Sequence, residues 1–223
     1  MEQLQLSIAS HRETIRNSSF FHEIQESLSG DFTNIRCLAL GSPSESSNAR
    51  YQYALLLELV ETKNIAEVSL YDPVFTDLDM ELFKPFTVEE HYRGGAGPET
   101  LYYIPHAPLE VMEQILVTDK PMVFLGNDII AHTDRLTKRK LASLYPTMAV
   151  LVHYSDDGSC NDGFTPVTNK KRNSRKFKEP EIVYNFNAVH FHGVEITRYK
   201  NSFNKKTPWG NAFSDIAFHR LID

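Results

Sequence analysis

Polar residues follow the short apolar runs of this sequence, and their types are those that bind or process small molecules. Asp72 comes directly after the run Val68–Tyr71, and a carboxylate there can accept hydrogen bonds from ribose hydroxyls. His106 lies between Pro105 and Pro108 on a stiff turn, where an imidazole beside a carboxylate could act as a general acid or base. His106 is therefore the candidate catalytic residue. The candidate binding residues are Gly41, Ser42, Tyr71, Asp72, His106, Asn127 and Asp128.

Each of these positions also has a purely structural interpretation. Gly41 and Asp72 could simply turn the chain, because such residues commonly end strands. The His106 side chain could hydrogen-bond a neighbouring loop and order it. Spacing without geometry supports only a hypothesis, so both interpretations stay open at this point.

The elements that must position these residues begin with a strand, a turn, a helix and a second strand. The apolar run Ile35–Leu40 is typical of a strand buried on both faces, and it ends at Gly41. Apolar residues then recur at helical spacing after Ser46 or Ser47, either of which can cap the helix. The second strand is Val68–Tyr71. Such a crossover joins parallel strands, so the ends of both strands should meet at one edge of the sheet.

Further apolar runs alternate with helical patterns along the rest of the chain. The additional predicted strands are Leu101–Ile104, Met122–Leu125 and Met148–His153, with strand-like alternation over Glu181–Tyr199. The additional predicted helices are Asp77–Phe83 after a Thr76 cap, Leu109–Leu116, and one capped by Thr133 or Asp134 that runs to about Leu144. The alternation predicts an α/β fold, a Rossmann-like three-layer sandwich with a mainly parallel sheet.

Two parts of unequal size are expected. Residues 1–30 carry apolar residues three or four apart and predict an N-terminal helical extension. Residues 31–223 should form the Rossmann-like domain, with a basic loop near residues 156–180.

Motifs for several common chemistries are missing from the sequence. There is no Gly-x-Ser-x-Gly nucleophile elbow and no Walker-type phosphate loop. His190 and His192 alternate on a predicted strand and so share a face, but zinc would need at least one further ligand. We therefore expect no metal centre.

Composition bounds the partners and the compartment. The chain has 223 residues, a formal net charge of −6 and two cysteines, one of them Cys37 in a predicted buried strand. An acidic surface does not favour nucleic acid or an anionic membrane, and two cysteines do not make a disulfide framework. The N-terminal residues lack the apolar segment of a signal peptide, and no apolar run is long enough to span a membrane. These features predict a cytoplasmic and nuclear protein.

One segment departs from the acidic character of the chain. Lys170–Lys178 reads KKRNSRKFK, so six of its nine residues are Lys or Arg. Such a run is typical of a solvated, exposed and mobile loop, and it also fits a nuclear import signal. We expect it to contribute more to nuclear entry than to folding.

Several dispersed sequence words resemble the sensitivity-to-red-light-reduced family, a eukaryotic group of single-domain regulators. The words are CLALGSPSESSNARYQYALLLELVE, VSLYDPVF, LYYIPHAP, VFLGND and NAFSDIAFH. Two positions depart from the family pattern: Ala107 stands where Cys is usual, and Ser214 stands where Asn is usual beside Asp215. The resemblance implies a regulatory role of the kind linked to circadian and light responses, haem metabolism, stress or the cytoskeleton.

Two classes of function follow from these observations. The first is a regulatory protein with a small-molecule crevice at the strand ends and a protein partner. The alternative is an enzyme that uses a nucleotide or an S-adenosylmethionine-like ligand in the same crevice. Either class needs the strand-end residues to converge.

Overall fold

One mixed sheet organises the computed structural model, which describes residues 1–28, 30–95, 97, 99–157, 182–202 and 206–223. Seven strands form this sheet within the described ranges: β1 (Asn34–Leu38), β2 (Glu67–Tyr71), β3 (Thr87–Val88), β4 (Thr100–Ile104), β5 (Val123–Asn127), β6 (Gly193–Arg198) and β7 (Ile216–Ile222). Their order across the sheet is β3-β2-β1-β4-β5-β7-β6. The basic segment Lys170–Lys178 lies outside the described residues.

The first five strands are parallel to one another, and β7 alone runs in the opposite direction among the seven described strands. β1 pairs with β2 on one side and with β4 on the other, and Leu38 lies opposite Tyr71 in the register. β7 pairs antiparallel with both β5 and β6. The predicted parallel α/β sheet is therefore confirmed, and the four strands predicted nearest the site are all present.

Helices cover both faces of the sheet. They are α1 (Glu2–Arg16), α2 (Ser19–Ser27), α3 (Ser47–Thr62), α4 (Asp77–Leu82), α5 (Leu109–Thr118), α6 (Ile129–Thr133), α7 (Lys138–Leu144) and α8 (Pro146–Asp157). Successive side chains of a strand point to opposite faces. In β4, Tyr103 joins the apolar cluster of α1–α4, whereas Tyr102 joins the cluster of α5, α7 and α8. This division makes the three-layer sandwich.

Three sequence-based assignments need correction. Met148–His153 is not a strand but lies inside α8, because a short buried apolar run has no periodicity that separates strand from helix. The helix expected after a Thr133 or Asp134 cap begins only at Lys138, where Thr137 caps it by accepting a hydrogen bond from Lys140 N, and Thr133 instead ends α6. The strand pattern over Glu181–Tyr199 reduces to β6, preceded by a 3-10 turn at Phe186–Ala188.

The N-terminal region is helical as predicted. Glu58 of α3 is fully buried, and its carboxylate accepts hydrogen bonds from Arg12 at 2.6 Å and Arg16 at 2.7 Å. Burial raises the pKa of Glu58, but the hydrogen bonds and charges of the two guanidinium groups outweigh it and leave that pKa lowered. The boundary near residue 30 stays a prediction.

Cys37 is a free thiol buried in β1. Within the described residues, no helix combines the length and the apolarity that a membrane span requires.

Candidate functional site

A cleft of about 770 Å³ opens at the carboxyl ends of β1, β2 and β4. Four of the residues predicted from the sequence line it: Gly41, Tyr71, Asp72 and His106. The N-terminal part of α3, the face of α5 and the loop before β7 complete its walls. Ligands of open α/β sheets bind at this edge, so the location agrees with the topology.

A carboxylate joins the ends of the first two strands. Gly41 N donates a 2.8 Å hydrogen bond to Asp72 Oδ2, and Val74 N donates to Asp72 Oδ1 at 3.1 Å. Gly41 has a φ of +75°, a conformation that glycine adopts without steric cost. The side chain of Asp72 is thus both a part of the cleft and a hydrogen-bond acceptor for the turn that follows β1.

Ser42 lies beside the cleft but does not line it, because it is bound to a second carboxylate. Its hydroxyl donates to Asp79 Oδ2 at 2.6 Å, and Ser44 N donates to Asp79 Oδ1 at 2.8 Å. The N–H and hydroxyl of Thr76 add two 3.0 Å hydrogen bonds to Oδ2. Burial raises the pKa of Asp79, but these donors outweigh it and leave its pKa below the usual value. Asp79 therefore fixes the turn between β1 and α3.

Asn127 and Asp128 also support the site from outside the cleft. Asn127 Oδ1 accepts a 2.9 Å hydrogen bond from Ala107 N, and its Nδ2 donates to Asp215 Oδ2 at 2.8 Å. Asp128 caps α6 and pairs with Arg198 at 2.5 Å. Asn127 thus holds the turn that carries His106 and orients Asp215, which does line the cleft.

Two tyrosines form an aromatic wall. The rings of Tyr71 and Tyr92 lie 5.7 Å apart between centroids, and both line the cleft. The Tyr92 hydroxyl donates to the buried Asp119, which also accepts from Arg36 at 3.1 Å. Burial, followed by this hydrogen bond to a carboxylate, raises the pKa of Tyr92. Tyr92 is therefore a neutral, fixed surface.

His106 is exposed at the cleft, and the described residues give its imidazole no hydrogen-bond partner. This geometry leaves the ring available to a ligand. It does not supply the adjacent hydrogen-bonded carboxylate that a fixed general base would have.

Reasoning from the sequence missed several residues of the cleft. Gln52 is buried on α3 and donates to Ala212 O at 2.9 Å, which ties α3 to the loop before β7. Tyr92 lies in an irregular segment, and in the sequence Asp215 stands out only within the motif NAFSDIAFH, which resembles the family. A polar residue such as Gln52 inside an apolar helical face was the one available signal, since such residues need a buried partner.

No group of three or more His, Cys, Asp or Glu side chains in the described residues could hold a metal ion. His190 Nε2 lies 3.1 Å from Pro121 O.

Comparison with known proteins gives two matches. A family model described as SRR1 domain matches residues 11–220. An SRR1-like protein of Drosophila melanogaster is 33% identical over 111 residues, a match that covers 44% of this chain and 40% of the relative. The chain thus aligns with less than half of that relative's length. No solved structure matches the chain.

Proposed function

The chain belongs to the SRR1 domain family, and from this premise we propose that it is a regulator of the SRR1 type that binds a small molecule in the strand-end cleft. Family resemblance supports circadian, stress or haem-metabolism control as the process served, together with a protein partner. The basic sequence Lys170–Lys178 supports a location in the nucleus as well as the cytoplasm. The small-molecule part of the proposal comes from the geometry of the site.

The observation that carries the proposal is the construction of the cleft. Its volume of about 770 Å³ falls in the range of small-molecule sites, which is roughly 300–1,000 Å³. Apolar and aromatic side chains line it together with a few polar groups, a combination typical of ligand pockets. Asp79, Asn127 and Asp119 hold its walls by hydrogen bonds, so the cavity is largely formed before any ligand enters.

Filling the cleft tests this proposal directly. Val111 is 38% exposed, projects from α5 and lines the cleft, so Val111→Trp should occupy the volume a ligand needs. Val117 lies on the same helix, is 53% exposed and lies outside the cleft lining, so Val117→Trp is a matched control. Purified wild type and both variants would be screened by thermal shift against nucleosides, nucleotides and S-adenosyl compounds.

A compound at a hundred times its Kd stabilises the folded protein by about 2.7 kcal/mol, which raises Tm by roughly 5–10 °C for a chain of this size. We expect such a shift in wild type and Val117→Trp and its loss in Val111→Trp. An equal shift in all three proteins would place the binding outside the cleft. No shift with any compound would favour a surface that contacts a protein partner instead.

A further inference from the structure

We infer that the cleft binds a nucleoside-sized aromatic ligand that carries positive charge and no phosphate group. This inference rests on the proposed function, because it specifies the ligand of the same site. It follows from the protein carboxylates that already accept from Gly41 N and Ser44 N in the turn after β1, and from the charges left in the cleft.

The first observation is that protein carboxylates take the place of a phosphate. In nucleotide-binding sheets the backbone N–H groups of the first turn donate to phosphate oxygens. Here Gly41 N donates to Asp72, and Ser44 N donates to Asp79. Glu45 N and Ser46 N donate to the Ser42 carbonyl oxygen, and the Ser46 side chain caps α3. A phosphate would have to displace these acceptors.

The second observation is the sign of the charge at the site. Asp72 and Asp215 line the cleft, and Asp72 is part of the phosphate-like arrangement itself. Asn127 donates to Oδ2 of Asp215, while Oδ1 of Asp215 has no donor within the described part of the chain. A phosphate beside two carboxylates would be repelled, whereas a cationic group could pair with the open oxygen of Asp215.

The third observation is the aromatic wall of Tyr71 and Tyr92. Arg36 lies over the Tyr92 ring at 5.7 Å and Asp119 holds its hydroxyl, so one face of this wall is already fixed by the protein. The rings of Tyr71 and Tyr92 are tilted by 52° to each other, so each offers its own apolar face to the cleft, on which a ligand ring can stack. A purine-like ring there would leave its polar substituents near Asp72.

Two matched pairs of probes separate the charge from the ring. Adenosine and AMP differ by a phosphate, and S-adenosylmethionine and S-adenosylhomocysteine differ by the charged methyl sulfonium. Isothermal titration calorimetry at fixed ionic strength would measure Kd for all four. We expect adenosine to bind at least about tenfold tighter than AMP, and the sulfonium compound at least about fivefold tighter than its uncharged partner.

Three variants assign these differences to residues. Asp215→Asn keeps an oxygen that can accept from Asn127, so it should keep the fold and reduce the sulfonium preference to less than about twofold. Asp72→Asn should reduce the ratio of the Kd of AMP to the Kd of adenosine. Glu67→Gln removes one charge at the opposite, exposed end of β2, more than a Debye length of about 8 Å away, and should leave both ratios unchanged.

The outcomes distinguish this inference from the proposed function. Tighter binding of AMP than of adenosine, blocked by Val111→Trp, would overturn the charge assignment and leave the cleft as the site. If none of the four probes binds, but another compound binds and Val111→Trp blocks its binding, the ligand class alone would be overturned. Binding of the probes that Val111→Trp does not affect would overturn both. Equal ratios in wild type and Asp215→Asn would show that Asp215 does not recognise the charge of the ligand.

Discussion

Two buried polar clusters flank the cleft, and they hold their carboxylates by different means. In the Arg36 cluster, the guanidinium pairs with Glu89 at 2.5 Å and Asp119 at 3.1 Å, so two carboxylates share one cation. In the Asp79 cluster, the fully buried carboxylate accepts only from neutral N–H and O–H groups of the turn. One cluster therefore holds its carboxylates with a cation, whereas the other holds its carboxylate with neutral donors alone.

The two clusters therefore affect the cleft in different ways. The Arg36 cluster fixes Tyr92, and its guanidinium offsets one of its two negative charges. The Asp79 cluster fixes the turn with dipoles and leaves a negative charge beneath the cleft rim. The Arg36 cluster thus supports a neutral aromatic wall on one side of the cleft, and the Asp79 cluster supports an acidic turn on the other side.

Removing the cation should give the largest effect and so test how far the first cluster depends on its guanidinium. Arg36→Met keeps much of the side-chain volume but leaves Asp119 and Glu89 buried without their partner, which costs about 3–5 kcal/mol. The free energy of unfolding in urea measures this change. Arg16→Met is the control, since Arg16 is half exposed and Glu58 would keep Arg12, so its loss should be below about 1 kcal/mol. Similar losses in both variants would show that the Arg36 cluster is not an interdependent ion cluster.

A neutral side chain in the second cluster should have a smaller effect that depends on pH. Asp79→Asn removes part of the acceptor capacity for Ser42, Ser44 and Thr76, and we expect a loss of about 1–3 kcal/mol at pH 7. The folded pKa of Asp79 is lowered, so its ionisation stabilises the fold above the ordinary Asp pKa of about 3.9. That contribution disappears as the pH falls through the folded pKa.

Urea unfolding at pH 7 and at pH 3 should therefore show a smaller difference between wild type and Asp79→Asn at the lower pH. Asp77→Asn is a fitting control, because Asp77 is exposed in the first turn of the same helix. A constant difference at both pH values would show that the charge of Asp79 does not contribute, which would weaken the contrast between the clusters.

The smallest effect on stability should come from the cleft itself. His106 is exposed, so His106→Ala should change the free energy of unfolding by less than about 0.5 kcal/mol while weakening any cleft ligand. Urea unfolding and calorimetry on the same protein preparation measure both quantities. A loss of several kcal/mol would restore the interpretation in which His106 orders its loop.

Much of the sheet was predictable because its central strands are buried on both faces. Continuous apolar runs such as Leu101–Ile104 carry that signal, and β1, β2, β4 and β5 lie within two residues of their predicted positions. The same signal failed for Met148–His153, since a helix buried on most of its surface is equally apolar. Pro146 at the start of α8 suits a first helical turn and would have favoured the helix.

The last strand shows a different limit. β7 contains His219 and Arg220, which interrupt the apolar pattern, yet His219 is fully buried and stacks on Phe124 at 4.2 Å. Burial lowers the pKa of His219 to about 4, so the ring enters the core as a neutral group. A pattern of residue types does not show that the imidazole is neutral in the core.

The site was predictable only in its strand-end half. Gly41 and Asp72 meet because β1 and β2 are parallel, which the crossover between them requires. Asp215 and Tyr92 reach the cleft through pairings with residues far away in the sequence, and no local pattern indicates such contacts. Ser42, Asn127 and Asp128 lie beside the cleft, and their hydrogen bonds support its walls.

The position of β7 between β5 and β6 also has a consequence for the order in which a growing chain can build this fold. The parallel strands β1, β2, β4 and β5 are all made before residue 130. Asn127 can pair with Ile216 and donate its amide hydrogen bond to Asp215 only after those later residues have been made. Closing a loop of this length has an entropic cost, which is offset only when the strands have paired. On the ribosome, the residues that form the floor of the cleft are thus made long before those of its far wall, so the proposed ligand would meet a complete cleft only in the finished domain.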